Sequence, residues 1–285
     1  MILQKEIATI AAQKGVVKST IGKDWALGHF IDAILSIPEL RQKLIFKGGT
    51  CLKKCYIPDY RFSEDFDFTS IDKDFKLTSK HLDNISALLK QRVEMPAHIE
   101  SLKELKFKDK LTGYEAIIKF WGSDHLRNEP PPPSQRWLTK VKIEIILYEL
   151  VLFPVSKRDV THQYSDKLTE NALQVPCYSI EEVLAEKMRS LIQRSYTAPR
   201  DFYDIWYLSK HFPELDYNPI VKTFHKKLAF KGYTFSRIEQ LINPENDKHL
   251  SAAWKNSLAH QITGELPDFE TVKNELLVHF KKILS

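Results

Sequence analysis

Two aspartates separated by one phenylalanine, Asp65-Phe66-Asp67, are the most chemically pointed segment of this 285-residue chain. On a strand, residues two apart leave the same face, so both carboxylates would point one way while Phe66 and Phe68 anchor the other. Two convergent hard-oxygen ligands suit Mg²⁺ or Mn²⁺, which take one or two protein carboxylates together with substrate phosphates. Upstream, Phe46-Lys47-Gly48-Gly49-Thr50 places a glycine pair between a short apolar stretch and a following helix. Paired glycines permit close backbone approach to a phosphate, and amides at a helix start can hold the anion. Singly, a Gly-Gly is often a plain turn and an Asp-X-Asp a solvated strand end. Their combined order, strand, Gly-Gly, helix and then Asp-X-Asp on a strand, is the layout of metal-dependent nucleotidyl transfer.

Such a site calls for a third carboxylate on a neighbouring strand, to complete the metal cage or to take the proton of the attacking hydroxyl. Glu144 fits, mid-strand, with Ile143 and Ile145 turned the other way; its bland alternative is a cross-strand ion pair with a lysine. A third constellation is Ala185-Glu186-Lys187 through Arg194, followed by Arg200-Asp201-Phe202-Tyr203-Asp204. Helical spacing puts Lys187, Ser190 and Arg194 on one face. A lysine beside a triphosphate would offset charge developing in the transition state, and either Asp201 or Asp204 would orient it. On spacing alone the cluster reads first as a surface salt-bridge network between two helices.

These residues need elements to hold them. Residues 4–15 read as a short helix, and Ser19 or Thr20 would cap a second one to Ser36 carrying Trp25, Leu27, Phe30, Ile31, Ile34 and Leu35 at helical spacing. Strand patterns fall at 44–46, 66–69, 114–120 and 140–147. The last two read as antiparallel partners joined by a long loop, stiffened by Pro130 to Pro133. Residues 78–92 read as a helix. Beyond Pro176, Ser179-Ile180-Glu181-Glu182 resembles a capping box, and helical patterns follow to 194, from 199, and near 217–229, 235–243, 248–262 and 268–283. The break near residue 175 divides the chain into an α/β domain, 1–175, and a helical bundle domain, 176–285.

Net charge is +5, split as 27 basic against 23 acidic residues in 1–175 and 15 against 14 thereafter. This balance permits a local basic groove without requiring nucleic-acid binding. Lys53, Lys54, Arg61, Lys140, Lys142, Arg189 and Arg194 are the candidates for a path along an RNA backbone. Trp121, Trp137 and Tyr114 offer base-stacking or, more simply, packing. Cys51, Cys55 and Cys177 lack zinc spacing and a disulfide framework, and read as buried thiols; His125 has no nucleophile signature near it. The sequence shows neither a membrane span nor a signal peptide, and the expectation is a cytoplasmic protein.

Taken together, Lys47-Gly48-Gly49-Thr50, Arg61-Phe62-Ser63-Glu64-Asp65-Phe66-Asp67-Phe68, Ala185-Glu186-Lys187 and Arg200-Asp201-Phe202-Tyr203-Asp204 resemble the AbiEii/AbiGii family. These are nucleotidyltransferases of the DNA polymerase β-like superfamily, toxins of type IV toxin–antitoxin systems. The resemblance spans residues 40–210 through four motifs in order. It implies an α+β fold, with a small mixed sheet flanked by helices and joined to a C-terminal helical bundle. It implies Mg²⁺-dependent transfer of a nucleoside monophosphate from an NTP to an acceptor such as a tRNA-like 3′ end, with a cognate antitoxin as partner. On this reading Asp65, Asp67 and Glu144 hold metal. Gly48, Gly49, Thr50, Ser63, Lys187 and Arg194 hold the nucleotide, and Lys187, Asp201 and Asp204 join the carboxylates in catalysis. Lys187 would reach the triphosphate across a cleft between the two domains. The alternatives are the same fold with a protein or small-molecule acceptor, or a catalytically silent binding module.

Overall fold

The computed structural model describes residues 2–122, 130–194 and 198–284. His125, Asn128 and Glu129, within the expected strand-joining loop, lie outside the described residues. The chain divides into two compact units: residues 1–149 with 155–177, and residues 150–154 with 178–285.

In chain order the first unit contains α1 (Gln4–Lys14), α2 (Lys18–Leu35), α3 (Pro38–Lys43), β1 (Leu44–Lys47) and α4 (Gly48–Cys51). α4 runs on as a π-helical turn, Leu52–Tyr56. Then follow β2 (Phe66–Ser70), α5 (Ser79–Val93), β3 (Ala97–Phe107), β4 (Lys110–Phe120), β5 (Lys140–Ile146), β6 (Ser156–Arg158) and β7 (Val175–Cys177). Among the described residues the strands form one sheet in the order β3-β4-β5-β2-β1-β7-β6. It is mixed: β1 is antiparallel to β2 and parallel to β7, β2 is parallel to β5, and β4 is antiparallel to β5.

The sheet's interior face explains why these segments are strands. Phe46, Phe66, Phe68, Ile143 and Ile145 are buried on it, and α2 packs Phe30 against Phe66 and Phe120, with ring centroids 6.1 and 5.5 Å apart. Aromatic pairs of this kind add roughly 0.5–1.5 kcal/mol beyond their area. α2 starts at Lys18 with Val17 at its N-cap and no side-chain cap, so neither Ser19 nor Thr20 is the N-cap expected of them. What fixes this helix is burial: Trp25, Phe30 and Ile31 are wholly inside. The segment after β6 is tied to it by polar bonds. Asp166 accepts from Trp25 Nε1 at 2.9 Å, His29 Nε2 at 3.0 Å and His162 Nε2 at 2.9 Å, while Asp32 accepts from Thr169 Oγ1 at 2.6 Å.

Three strands go unread in the sequence. β3 is an edge strand whose lysines and glutamates break alternation, as edges commonly do. It pairs with β4 through a tight turn with Lys108 and Asp109 both at positive φ, a primed turn without the usual Asn-Gly. β6 and β7 are three residues each, and Pro176 within β7 masks it further.

The second unit is helical: α6 (Ile180–Gln193), α7 (Pro199–His211), α8 (Tyr217–Phe230), α9 (Asp247–Leu258) and α10 (Phe269–Ile283). The stretch 235–243, expected to be helical, contains only a single 3₁₀ turn, Ile238–Gln240. Ser179 caps α6, accepting from Glu182 N at 3.2 Å, but the capping box is half-formed. The Glu182 carboxylate instead accepts from Leu152 N and Phe153 N at 2.9 and 2.7 Å and meets Lys227 Nζ at 2.6 Å. Lys227 also donates to Leu150 O. This wholly buried pair is why residues 150–154 group with the helices.

Candidate nucleotidyl-transfer site

β1 ends at Lys47 and the chain turns into α4 through Gly48, whose φ of +79° is one that L side chains rarely adopt. A Cβ at Gly48 would collide with the Asp67 carboxylate, and one at Gly49 would sit 3.0 Å from both Arg61 Nη2 and Ser63 Oγ. The glycine pair is therefore a cradle pressed against Asp67 on one side and against Arg61 and Ser63 on the other. Thr50, buried, donates its hydroxyl to the Asp65 carbonyl, which fixes the entry to β2 relative to α4.

Sheet register lines up the charged residues. Lys47 is opposite Asp67, Asp67 is opposite Glu144, and Glu144 is opposite Glu115. Asp67 and Glu144 both alternate with core residues, so both leave the face away from α2. Asp65 lies one residue before β2 rather than within it, contrary to the strand reading of the whole Asp-X-Asp. Even so, its charge acts on Asp67. Burial, reinforced by the charges of Glu144 and Asp65, pushes the Asp67 carboxyl up to about 6, against the pull of Lys47 and Lys142. Lys142 responds oppositely: burial works against its charge, but Glu144, Asp65 and Asp67 outweigh it and raise its pKa. Its Nζ is 3.3 Å from Glu144 Oε2. The lysine paired with Glu144 is thus two residues along the same strand, not across it as the ion-pair alternative expected, and the pair coexists with the acidic group.

Three carboxylates beside a glycine turn, two of which add their charge to the burial that raises Asp67, form a donor set suited to a hard divalent cation. The residues present fit Mg²⁺ or Mn²⁺.

In the helical unit, Lys187 on α6 meets α7. Its Nζ is 3.0 Å from Asp201 Oδ1 and 2.5 Å from Asp204 Oδ2, and Arg194 pairs with the other Asp201 oxygen. Asp204 is fully buried, Asp201 and Lys187 nearly so, which a surface salt-bridge network would not be. Arg194 is the C-cap residue in extended conformation, so the expected helical face shared with Lys187 stops one residue short of it.

Several members of the expected basic path are not at the surface. Lys54 is buried against Asp24 at 2.7 Å, Lys53 donates to Pro58 O at 2.6 Å beneath Phe62, and Arg61 and Arg189 are buried as well. Lys140, with its side chain 56% exposed, remains available to solvent. Tyr114 and Trp137 are buried and pack; Trp121 contacts Trp137.

The family model of the nucleotidyl transferase AbiEii toxin, type IV toxin–antitoxin system, matches residues 29–275. The chain belongs to that family. Among solved structures it is similar to MenT4, a nucleotidyltransferase toxin from Mycobacterium tuberculosis H37Rv, at 16% identity and TM-score 0.68, covering 100% of this chain and 90% of that one. It is similar also to JHP933 from Helicobacter pylori, at 16% identity and TM-score 0.51, covering 94% and 93%. Comparison with the curated proteins yields no match. This AbiEii-family chain is a nucleotidyltransferase with the mixed α/β fold of such toxins, and no helix of its described residues is long and apolar enough to cross a membrane.

Two residues to which sequence reasoning gave no role lie in the row of this candidate site: Lys47, in register with Asp67, and Glu115, in register with Glu144. Lys142 entered only as part of an RNA path. The signal for it was available, since Lys142 and Glu144 are two apart on one strand and share a face. Nothing local marks Glu115, whose neighbourhood depends on which strand pairs with β5.

Proposed function

We propose that this protein transfers a nucleoside monophosphate from an NTP to a hydroxyl of RNA, using Asp65, Asp67 and Glu144 as the acidic set around a divalent cation. The observation that carries the reading is the register Lys47–Asp67–Glu144 across three adjacent strands, closed by a glycine turn where a Cβ on Gly48 would meet the Asp67 carboxylate. When bound, the cation supplies charge neutralisation on the triphosphate. Asp67, recessed against Gly48, and Asp65, at the strand entry, are its holders. Glu144, with 31% of its side chain exposed, is the carboxylate that an acceptor can reach, and it takes the hydroxyl proton. The acceptor oxygen forms a bond to the α-phosphorus, the α–β phosphoanhydride bond breaks, and pyrophosphate leaves with the electron pair. Gly48, Gly49, Thr50 and Ser63 line the phosphate side. On the helical unit, Lys187, aligned by Asp201 and Asp204, and Arg194 carry positive charge, and a part for them in transfer rests on the family alone.

RNA as acceptor rests on the family. The test is incubation with each radiolabelled NTP, Mg²⁺ and total RNA, followed by separation of RNA from protein. Label on RNA that disappears in Asp65→Asn supports the reading. Label on protein alone, or on a small molecule alone, transfers it to that acceptor class, and no label with any NTP overturns it.

A further inference from the structure

Cys51, Cys55 and Cys177 come from three different elements, the end of α4, the π-helical turn and β7, and converge with all three sulfurs within 4.8 Å of one another. All are free thiols and all are buried; Cys55, 7% exposed, is the one nearest solvent. Their convergence is a product of topology. Cys177 is in register with Phe46, the strand residue two before Gly48, and Cys51 lies three residues after it.

We propose that these thiols form a binding site for a thiophilic d¹⁰ cation, Zn²⁺ in the first instance, separate from the carboxylate site. Sulfurs bound at about 2.3 Å to one metal are roughly 4 Å apart, within what this triangle already provides after small side-chain shifts. Soft thiolate ligands select such cations over Mg²⁺, so the two sites would not compete for the same metal. On binding, the three thiols lose their protons to solvent. The positive charges of Lys54 and Arg158 act on Cys55, and that of Arg158 also on Cys177, offsetting the negative charge of three thiolates around one divalent ion. Three protein ligands leave a fourth position for water. The bound ion would pin α4, and with it the Gly48–Gly49 cradle, to β7.

The experiment is titration of the reduced full-length protein with Co²⁺, an optical reporter for zinc sites, in an Asp65→Asn/Asp67→Asn background that disables the carboxylate site. The expected result is a stoichiometric thiolate-to-cobalt charge-transfer band with visible d–d bands, bleached by Zn²⁺, and a higher melting temperature with Zn²⁺ than without. Cys55→Ser should weaken the affinity by at least the roughly 10–100-fold that even outer-shell changes cost. Absence of the charge-transfer band, with the thiols counted as reduced, overturns the proposal. So does a band that survives unchanged in both Cys55→Ser and Cys51→Ser. The unsubstituted cysteines give the decisive reading should a serine variant fail to fold.

Discussion

At the scale of single residues, Asp67 carries an opposition between stability and function. Its carboxyl is raised from an ordinary 3.8 to about 6 by burial and the nearby negative charges. A carboxylic acid whose folded pKa exceeds its unfolded one binds more protons when folded, so stability falls as pH rises from about 4 to about 6 and is level above. At about 1.4 kcal/mol per pKa unit, discounted for partial solvent access, the cost of ionising Asp67 in metal-free protein is about 1–2 kcal/mol. Asp67→Asn should therefore raise the melting temperature of metal-free protein at pH 7.5 by a few degrees while reducing transfer by orders of magnitude. Differential scanning calorimetry with and without chelator reads the first, labelled-NTP transfer the second; a destabilised variant would contradict the burial argument. Gly48→Ala is expected to lose on both counts. The methyl group meets the Asp67 carboxylate at a positive φ, at a cost on the order of 1–3 kcal/mol, and chemical denaturation would show it as a lowered midpoint.

Elements are where buried charge decides stability. Glu182 and Lys227 are almost wholly enclosed and hold residues 150–154 to α6 and α8. Removing one partner from such a pair leaves the other charge buried, which costs about 3–5 kcal/mol. Lys227→Met should therefore destabilise the protein by about that amount, and so should Glu182→Gln, which leaves the Lys227 ammonium buried against a neutral amide. Urea unfolding of both variants tests this, and an unchanged midpoint in either would count against it. Asp201 and Asp204 present the same situation around Lys187 on α6 and α7. Lys187→Ala is thus expected both to lose transfer and to destabilise the helical unit. Lys187→Arg, keeping the charge, should recover fold stability ahead of activity if the ammonium itself serves the reaction.

For the whole molecule, ligand linkage gives the clearest expectation. A nucleotide with Mg²⁺ that binds only the folded state at about 100 times its dissociation constant adds about 2.7 kcal/mol. The melting temperature should rise with NTP and Mg²⁺ together, and chelation should abolish the rise. If the rise persists in the Asp65→Asn variant, nucleotide binding lies elsewhere. With RNA as the proposed acceptor, binding to it should weaken with salt, and Lys140→Ala should flatten that dependence by about one unit of slope; RNA affinity that ignores salt would count against RNA as the acceptor.

The sequence by itself determined which residues share a strand or helix face. Gly48-Gly49, Asp67 and Glu144 were legible because a period of two assigns side chains to faces, and because apolar Phe66, Phe68, Ile143 and Ile145 declare which face is core. The helices α1, α2, α5, α6, α7, α8, α9 and α10 were legible from their periodicity near 3.6 and their end signals. Only the tertiary structure decided which strands adjoin. Strand order rests on contacts between residues far apart in the chain, which no local pattern encodes. Packing of the π-helical turn and the segment after it, not strand order, buried Lys53, Lys54 and Arg61, which by composition alone read as a basic surface. Strand order set Asp67 beside Glu144 and admitted Lys47 and Glu115 to their row. It also brought Cys177 to within 4.8 Å of Cys51 and Cys55 across more than a hundred residues of chain, because β7 pairs with β1 and not with a strand nearer in sequence.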